Sequence, residues 1–246
     1  KVVTLSQIRQ TSAPLRIFHH LNQQPVFDAA VSSYFSPPFE VKNLFFAIEW
    51  FAMEATYKEV GLVAAMTALE KLVVSNLGDN DTLIQPEEEF KKSRRALRQV
   101  IKKCIDKWSV DEYKTTKEIV HELDERLADL NRRSILQKLM TLAQRWSVPL
   151  EGIGEDKIRA AKKVRDHIVH RGHYSNDGNE TNDDLWEHVT VIREVVVRFV
   201  LTAIGYRGVY FSYIGGCHEA QFPPPKPSFY SQSQHLLKTL RLQAIF

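Results

Sequence analysis

The chain has few residues that could cross-link it covalently or through a metal. Its only cysteines, Cys104 and Cys217, lie far apart and lack the Cys and His spacing of a zinc site. Free thiols fit a reducing compartment, so the sequence predicts a cytoplasmic protein with no structural metal. No signal peptide opens the sequence, and no apolar run reaches about 18 residues, which predicts that no segment spans a membrane.

Glycine is also sparse. The 10 glycines are scattered, and none has the spacing of a P-loop or a dinucleotide-binding turn. No repeat of fixed period is visible. These absences argue against the nucleotide-cradling folds and the repeat architectures, and no cofactor is predicted.

Apolar residues are plentiful, and the charges are unevenly distributed. With 246 residues and 43% hydrophobic content, the chain can bury a substantial core. The formal net charge is only +3, but segments 91–107 and 157–171 are strongly basic, whereas 118–129 and 177–187 lean acidic. Each basic segment alone fits a solvated helix face, but two in one small domain favour an anionic partner such as RNA.

Hydrophobic periodicity and helix-end signals predict an all-α chain. Gly61 is predicted to separate the helix that ends at residue 57 from the one that begins at residue 62. The aromatic run Phe45, Phe46, Trp50 and Phe51 is predicted to lie in the core. The predicted helices cover 26–34, 41–57, 62–77, 87–108, 115–130, 132–146, 155–170 and 183–204.

Three parts of the chain are predicted from these patterns. Residues 1–25 form an N-terminal segment, which could end an upstream domain, and residues 26–215 form the helical domain. Residues 216–246 are predicted to be an extended, Pro-rich tail, because glycines and prolines interrupt them. A short helix near the end of this tail could dock on the domain or on a partner.

Arg165 and His170 carry the most informative motif, an Arg, four residues and a His, followed by Gly172. On an ideal helix, side chains five residues apart diverge by about 140°, so they would not share one face. Either the helix ends early and His170 turns toward Arg165, or each residue meets its counterpart in a second subunit. Helical projection also predicts that Arg165 is partly buried, with Glu70 as its ion-pair partner.

The motif is similar to the R-x4-6-H signature of HEPN domains, including the polar residue after the Arg, here Asp166. Residues 68–72, of sequence Ala-Leu-Glu-Lys-Leu, resemble a Leu- and Glu-rich core helix of the ApeA-like branch, and the resemblance covers roughly residues 41–213. It implies a HEPN-type helical bundle with extra N-terminal helices. It further implies a homodimer with a composite active site, a metal-independent endoribonuclease of antiphage defence or toxin type, and an upstream regulatory module.

The chemistry of RNA suggests a role for each residue of the motif. RNA supplies its own nucleophile, the 2′-hydroxyl, so no metal is required. His170 can act as general acid or base near neutral pH, Arg165 can hold the phosphate, and Asp166 can orient His170 or the substrate. The predicted RNA-binding residues are Lys162, Lys163, His167, Arg171 and Tyr174.

Other interpretations of the same residues stay open. A surface Arg and an incidental His would give the same motif, and His167, His170 and His173 could instead form a metal site. The runner-up function is a non-catalytic HEPN module that dimerises or binds nucleotide or RNA. A helical interaction scaffold is the third alternative, favoured if the basic helices face the core or each other.

Overall fold

The computed structural model describes residues 16–20, 23–105, 116–174 and 182–225. Within them the chain is mostly helical and carries one antiparallel hairpin. The helices are α1 (Gln24–Phe35), α2 (Leu44–Ala52), α3 (Lys58–Asn76), α4 (Asp79–Thr82), α5 (Glu87–Ile105), α6 (Thr116–Asp129), α7 (Ile135–Trp146), α8 (Glu155–Arg171) and α9 (Asn182–Ala203). The strands are β1 (Gly208–Ser212) and β2 (His218–Phe222).

Helix α3 lies at the centre of the bundle, in contact with α2, α7, α8 and α9. It is apolar around much of its circumference because neighbours cover it on several sides. Its buried residues include Leu62, Met66, Leu69 and Leu72, which are at most 2% exposed. Helix α9 is the most extensive neighbour and contributes Ile192, Val196, Phe199 and other buried residues to the same core.

The ends of α7 and α8 follow ordinary capping chemistry. Ser134 precedes α7. Its hydroxyl accepts a hydrogen bond from the Gln137 backbone N–H, and the Ser134 backbone N–H donates one to Gln137 Oε1. Gly172 closes α8 in the left-handed region, with φ of 81°, and its N–H donates to the Ile168 carbonyl at 2.7 Å. Local sequence therefore defines the helix that carries the motif.

The hairpin corrects the all-α prediction. β1 pairs antiparallel with β2 from Gly208 opposite Phe222 to Ser212 opposite His218. Tyr210 and Phe222 are buried against the helical core, so residues 218–222 pack on the domain, whereas the sequence predicted a tail from residue 216. Gly215 and Gly216, interpreted as breakers, have positive φ in the turn. The predicted tail helix and residues 1–15 of the N-terminal segment lie outside the described residues.

Two predictions in the N-terminal half were wrong, one about a helix boundary and one about burial. Gly61 does not break a helix, because α3 already begins at Lys58 and continues through it. The aromatic run is not core as a whole, since Phe45 is 68%, Phe46 51% and Trp50 41% exposed, while Phe51 is buried. Between the predicted helices 62–77 and 87–108, residues 79–82 form the short helix α4.

Candidate active site

The motif lies entirely within regular helix. Helix α8 continues through His170 to Arg171 before Gly172 ends it. The helix does not end early enough to turn His170 toward Arg165, so the two side chains keep the divergence of about 140°. The arrangement in which the helix ends early and His170 turns toward Arg165 is therefore not present.

Arg165 lies on the inner side of α8 and forms an ion pair with Glu70 of α3. The predicted contact is therefore present. The Arg165 side chain is 18% exposed and that of Glu70 33%, so the pair is shielded but not sealed from water. Ala161 and Ile168, buried on the same side of α8, hold the helix against the core.

Asp166 connects Arg165 to a second cation. Its Oδ1 accepts a hydrogen bond from Arg165 at 3.0 Å, and its Oδ2 pairs with Lys162 one turn earlier. Lys162, Asp166, Arg165 and Glu70 thus form a chain of alternating charges whose formal sum is zero. Such a chain holds the guanidinium in one place and leaves little net charge there.

His170 is exposed on the outer side of α8. In the part of the chain that the structure describes, neither a hydrogen bond nor an ion pair holds its imidazole. His170 follows Asp166 by four residues, so their side chains leave the helix only about 40° apart. Asp166 thus lies between Arg165 and His170 on the helix surface.

The predicted RNA-binding residues have different environments. Lys163 and Arg171 are exposed, whereas Lys162 is half-buried and pairs with Asp166. His167 is half-buried, and Tyr174 packs partly against the core. Because Lys162 already has a carboxylate partner, the exposed cations Lys163 and Arg171 are the better candidates for binding a phosphate backbone.

The second basic segment is directed toward an acidic neighbour. On α5, Arg94 and Arg98 approach Asp124 of α6 at 3.1 and 3.7 Å. Helices α5 and α6 pack mainly against each other, away from α8. Part of the basic charge that favoured an RNA partner is therefore paired within the chain.

No group of three or more His, Cys, Asp or Glu side chains within the described ranges is arranged to hold a metal ion. His167, His170 and His173 are not brought together, since His173 instead places Nδ1 3.1 Å from the Arg171 carbonyl oxygen. Among the same residues, no helix is long and apolar enough to cross a membrane.

Two charged groups on α9 were not predicted from the sequence. Glu194 and Arg198 are buried, and Arg198 donates a hydrogen bond to Glu194 at 3.0 Å. Tyr210 donates a second hydrogen bond to Glu194 at 2.6 Å. Arg193 lines a large cleft on another side of α9. The available signal was three charged residues in the otherwise apolar run 189–201, because charge in a core helix requires a partner or a ligand.

Comparisons of the chain with protein-family models, curated proteins and solved structures find no match in any of the three. The resemblance to HEPN domains therefore depends on the motif of α8 and the Leu- and Glu-rich segment of α3.

Proposed function

We propose that the chain is a metal-independent endoribonuclease with a HEPN-type bundle, whose active site combines Arg165 of one copy with His170 of a second. One observation carries this proposal: α8 presents a partly buried, fixed guanidinium on one side and an exposed imidazole on another. Two copies meeting along α8 would bring unlike residues together, which one copy cannot do with this helix.

His170 would take the proton of a 2′-hydroxyl. The 2′ oxygen would then attack the adjacent phosphorus, and the bond from phosphorus to the 5′ oxygen would break. The 5′ oxygen takes up a proton from water, and His170 later releases its own to solvent, leaving a 2′,3′-cyclic phosphate and a 5′-hydroxyl. Arg165 would stabilise the charge that develops on the phosphoryl oxygens. Asp166 of each copy would fix the Arg165 of that copy and orient its own His170, which acts in the second site.

The biological role follows only from the resemblance. We propose that the enzyme acts in the cytoplasm as an effector of antiphage defence or as a toxin that halts the cell by cutting RNA. Lys163 and Arg171 would guide the RNA backbone. A regulatory module upstream of this domain in a longer protein is part of the same proposal.

A non-catalytic HEPN module is the second candidate, and a specific observation favours it. Arg165 already pairs with Glu70 and Asp166, so a structural role alone could account for an Arg at this position. In that case the domain would dimerise or bind RNA or nucleotide without cutting it. His170 distinguishes the candidates, because its exposed position gives it no role in packing.

The test is incubation of purified protein with total RNA and excess EDTA, with end-group analysis of the products. Wild type and His121→Ala should both leave 2′,3′-cyclic phosphates, whereas His170→Ala should not cut. His121 is a matched control because it is also an exposed histidine on a helix. It lies on α6, and 76% of its side chain is accessible. Cleavage by His170→Ala at the wild-type rate would reject the mechanism, and wild-type protein that binds RNA without cutting it would favour the module.

A mixing experiment tests the composite site. Arg165→Ala and His170→Ala should each be inactive alone, but mixed dimers contain one site with both residues intact. Random exchange of subunits should therefore restore about a quarter of the wild-type activity. If each variant is inactive and no mixture recovers activity after exchange is verified, the two residues do not act across a dimer.

A further inference from the structure

A deep cleft is bounded by three helices and the N-terminal segment. Its walls come from the end of α2, the connection 53–57, the start of α3, the first half of α9 and residues 16–20. The cavity volume is about 1130 Å³. Ligand sites commonly have about 300–1,000 Å³, so the cleft can admit an organic molecule. Among the described residues none that lines the cleft belongs to α8, which separates it from the proposed active site.

One face of α9 forms a long wall of the cleft. Trp186, Val189 and Arg193 line it at intervals of three and four residues, which place them on the same side of the helix. Seven residues separate Trp186 from Arg193, which corresponds to about 10.5 Å along the helix axis. Gly61 and Ala64 of α3 line the same cleft, and their small size leaves it open. The side chains of Val189, Gly61 and Ala64 form no hydrogen bonds, so this part of the cleft is apolar.

Arg193 is the charged end of the α9 wall. It is half-buried, and its guanidinium carbon lies 4.4 Å from the centre of the Phe51 ring. Within the described part of the chain no carboxylate pairs with it, and the adjacent Glu194 is paired with Arg198. Burial lowers the pKa of the Arg193 guanidinium, with a smaller opposing contribution from Tyr213. A partly desolvated cation with no ion-pair partner favours an anionic ligand.

The other charged residues of the cleft add little to this charge. Arg16 and Glu54 are both exposed, and their formal charges cancel. Lys58 already lies over an aromatic ring and has contacts of its own, so it is not an available cation. Residues 1–15 contain no Asp or Glu that could pair with Arg193. The cleft therefore offers one half-buried cation, which matches an anion of single charge.

A single negative charge joined to an apolar chain suits this arrangement. About eight carbon–carbon bonds of an extended chain span the roughly 10.5 Å between Arg193 and Trp186. An alkyl chain has no polar groups to desolvate, whereas a peptide backbone would leave N–H and C=O groups unpaired against the apolar wall. We infer that the cleft binds a medium-chain alkyl carboxylate, with the carboxylate on Arg193 and the chain along Val189 toward Trp186.

The test is calorimetric titration of the full chain with octanoate, hexanoate, dodecanoate and octanol. Octanoate should bind once per chain, and hexanoate about tenfold more weakly, because it has two fewer methylene groups to bury. Octanol should bind at least about tenfold more weakly than octanoate, because it lacks the charge that pairs with Arg193. Dodecanoate should gain less than about tenfold over octanoate, because its chain extends past Trp186 into solvent.

Two variants locate the ligand. Arg193→Gln should remove the preference for octanoate over octanol. Gly61→Leu should weaken octanoate binding at least about tenfold, because its side chain would occupy the apolar part of the cleft. A Cβ at position 61 would lie 3.7 Å from the Ala55 Cβ, an ordinary contact, so this variant should fold. Urea unfolding checks both variants, and Gly61→Leu decides the question if Arg193→Gln does not fold.

Three controls separate this site from other causes. Arg132→Gln makes the same charge change at an exposed ion pair with Asp129, and it should retain octanoate affinity within about twofold. Phe35→Ser removes an exposed ring outside the cleft and should bind octanoate like wild type. His170→Ala should also bind like wild type, because the inference does not depend on ribonuclease activity.

Three results would overturn the inference. The first is wild-type protein that binds no octanoate at about 1 mM. The second is octanol binding as tight as that of octanoate, which would show an apolar surface without recognition of the carboxylate. The third is octanoate binding that neither Arg193→Gln nor Gly61→Leu weakens, or that Phe35→Ser removes, because either result would place the ligand elsewhere.

Discussion

Arg165 of α8 and Glu70 of α3 form an ion pair between two helices of the bundle, with 18% and 33% of their side chains exposed. The contact joins the motif to the central helix of the core. Arg165 also hydrogen-bonds Asp166, so the guanidinium is held from two sides. Its position is therefore fixed by the fold.

A double-mutant cycle should measure this pair. Arg165→Gln and Glu70→Gln should each destabilise the protein by about 1–2 kcal/mol, because each leaves a half-buried charge without its main partner. The double variant should recover part of that loss, giving a coupling energy of about 1 kcal/mol. Urea unfolding supplies all four free energies. Strict additivity would mean that the pair contributes nothing to stability.

The free energy of unfolding should depend more strongly on the buried ion pair between Arg198 and Glu194 of α9 than on the pair between Arg165 and Glu70. Arg198 donates to Glu194 and to the carbonyls of Pro149 and Glu151, and the Arg198 side chain is 10% exposed. Arg198→Met should cost about 3–5 kcal/mol, because the Glu194 carboxylate stays buried without its counter-ion. Chemical denaturation measures the loss. An unfolding free energy within about 1 kcal/mol of wild type would contradict this account.

The raised pKa of Tyr210 predicts that the protein loses stability at alkaline pH. Burial, followed by its hydrogen bond to Glu194, raises its pKa from 10.0 to about 12. A group whose pKa is higher in the folded protein contributes stability that is complete below pH 10 and is lost as pH rises toward 12. The contribution is about 3 kcal/mol.

Comparison with Tyr210→Phe isolates this effect, because the variant keeps Tyr206 and the other tyrosines. The free energy of unfolding should fall more steeply in wild type than in Tyr210→Phe between pH 10 and 12. Tyr34→Phe, at a position 83% exposed, is the matched control and should follow wild type. Parallel curves for wild type and Tyr210→Phe would contradict the prediction.

The exposed aromatic residues of α1 and α2 should bind hydrophobic probes without stabilising the fold. Phe35 is 81% and Phe45 68% exposed, so Phe35→Ser and Phe45→Ser should change the unfolding free energy by less than about 0.5 kcal/mol. Fluorescence of an apolar dye should fall in the double variant, because exposed aromatic rings attract such probes. Unchanged dye binding together with a lowered urea midpoint would show that these rings are packed in solution.

The sequence predicted the helices of the C-terminal half well because local signals define them. Ser134 and Gln137 mark the start of α7, and Gly172 marks the end of α8. The contact between Arg165 and Glu70 was predictable because both residues lie beside apolar stripes of their own helices, and a guanidinium at the edge of a core requires an anion.

Features that depend on distant segments were not predictable. The sequence of α2 cannot show which of its aromatic rings a neighbour covers, and only Phe51 among the four is buried. The cleft combines Arg16, Lys58 and Arg193, which come from three separated segments. The hairpin was not predicted because its glycines were interpreted as helix and strand breakers. At Gly208 the absence of a side chain leaves room for Tyr206, whose hydroxyl lies 2.6 Å from where a Cβ would be.

The hydrogen bond from Tyr210 to Glu194 has a consequence for synthesis on the ribosome. Chains emerge from the N-terminus, so Glu194 and Arg198 leave the exit tunnel before the hairpin that covers them. Until Phe222 has emerged and β2 can pair with β1, the nascent domain has an incompletely covered carboxylate on its longest described helix. Completion of the hairpin therefore waits for β2, and a translational pause before β2 would expose the intermediate to chaperones and proteases.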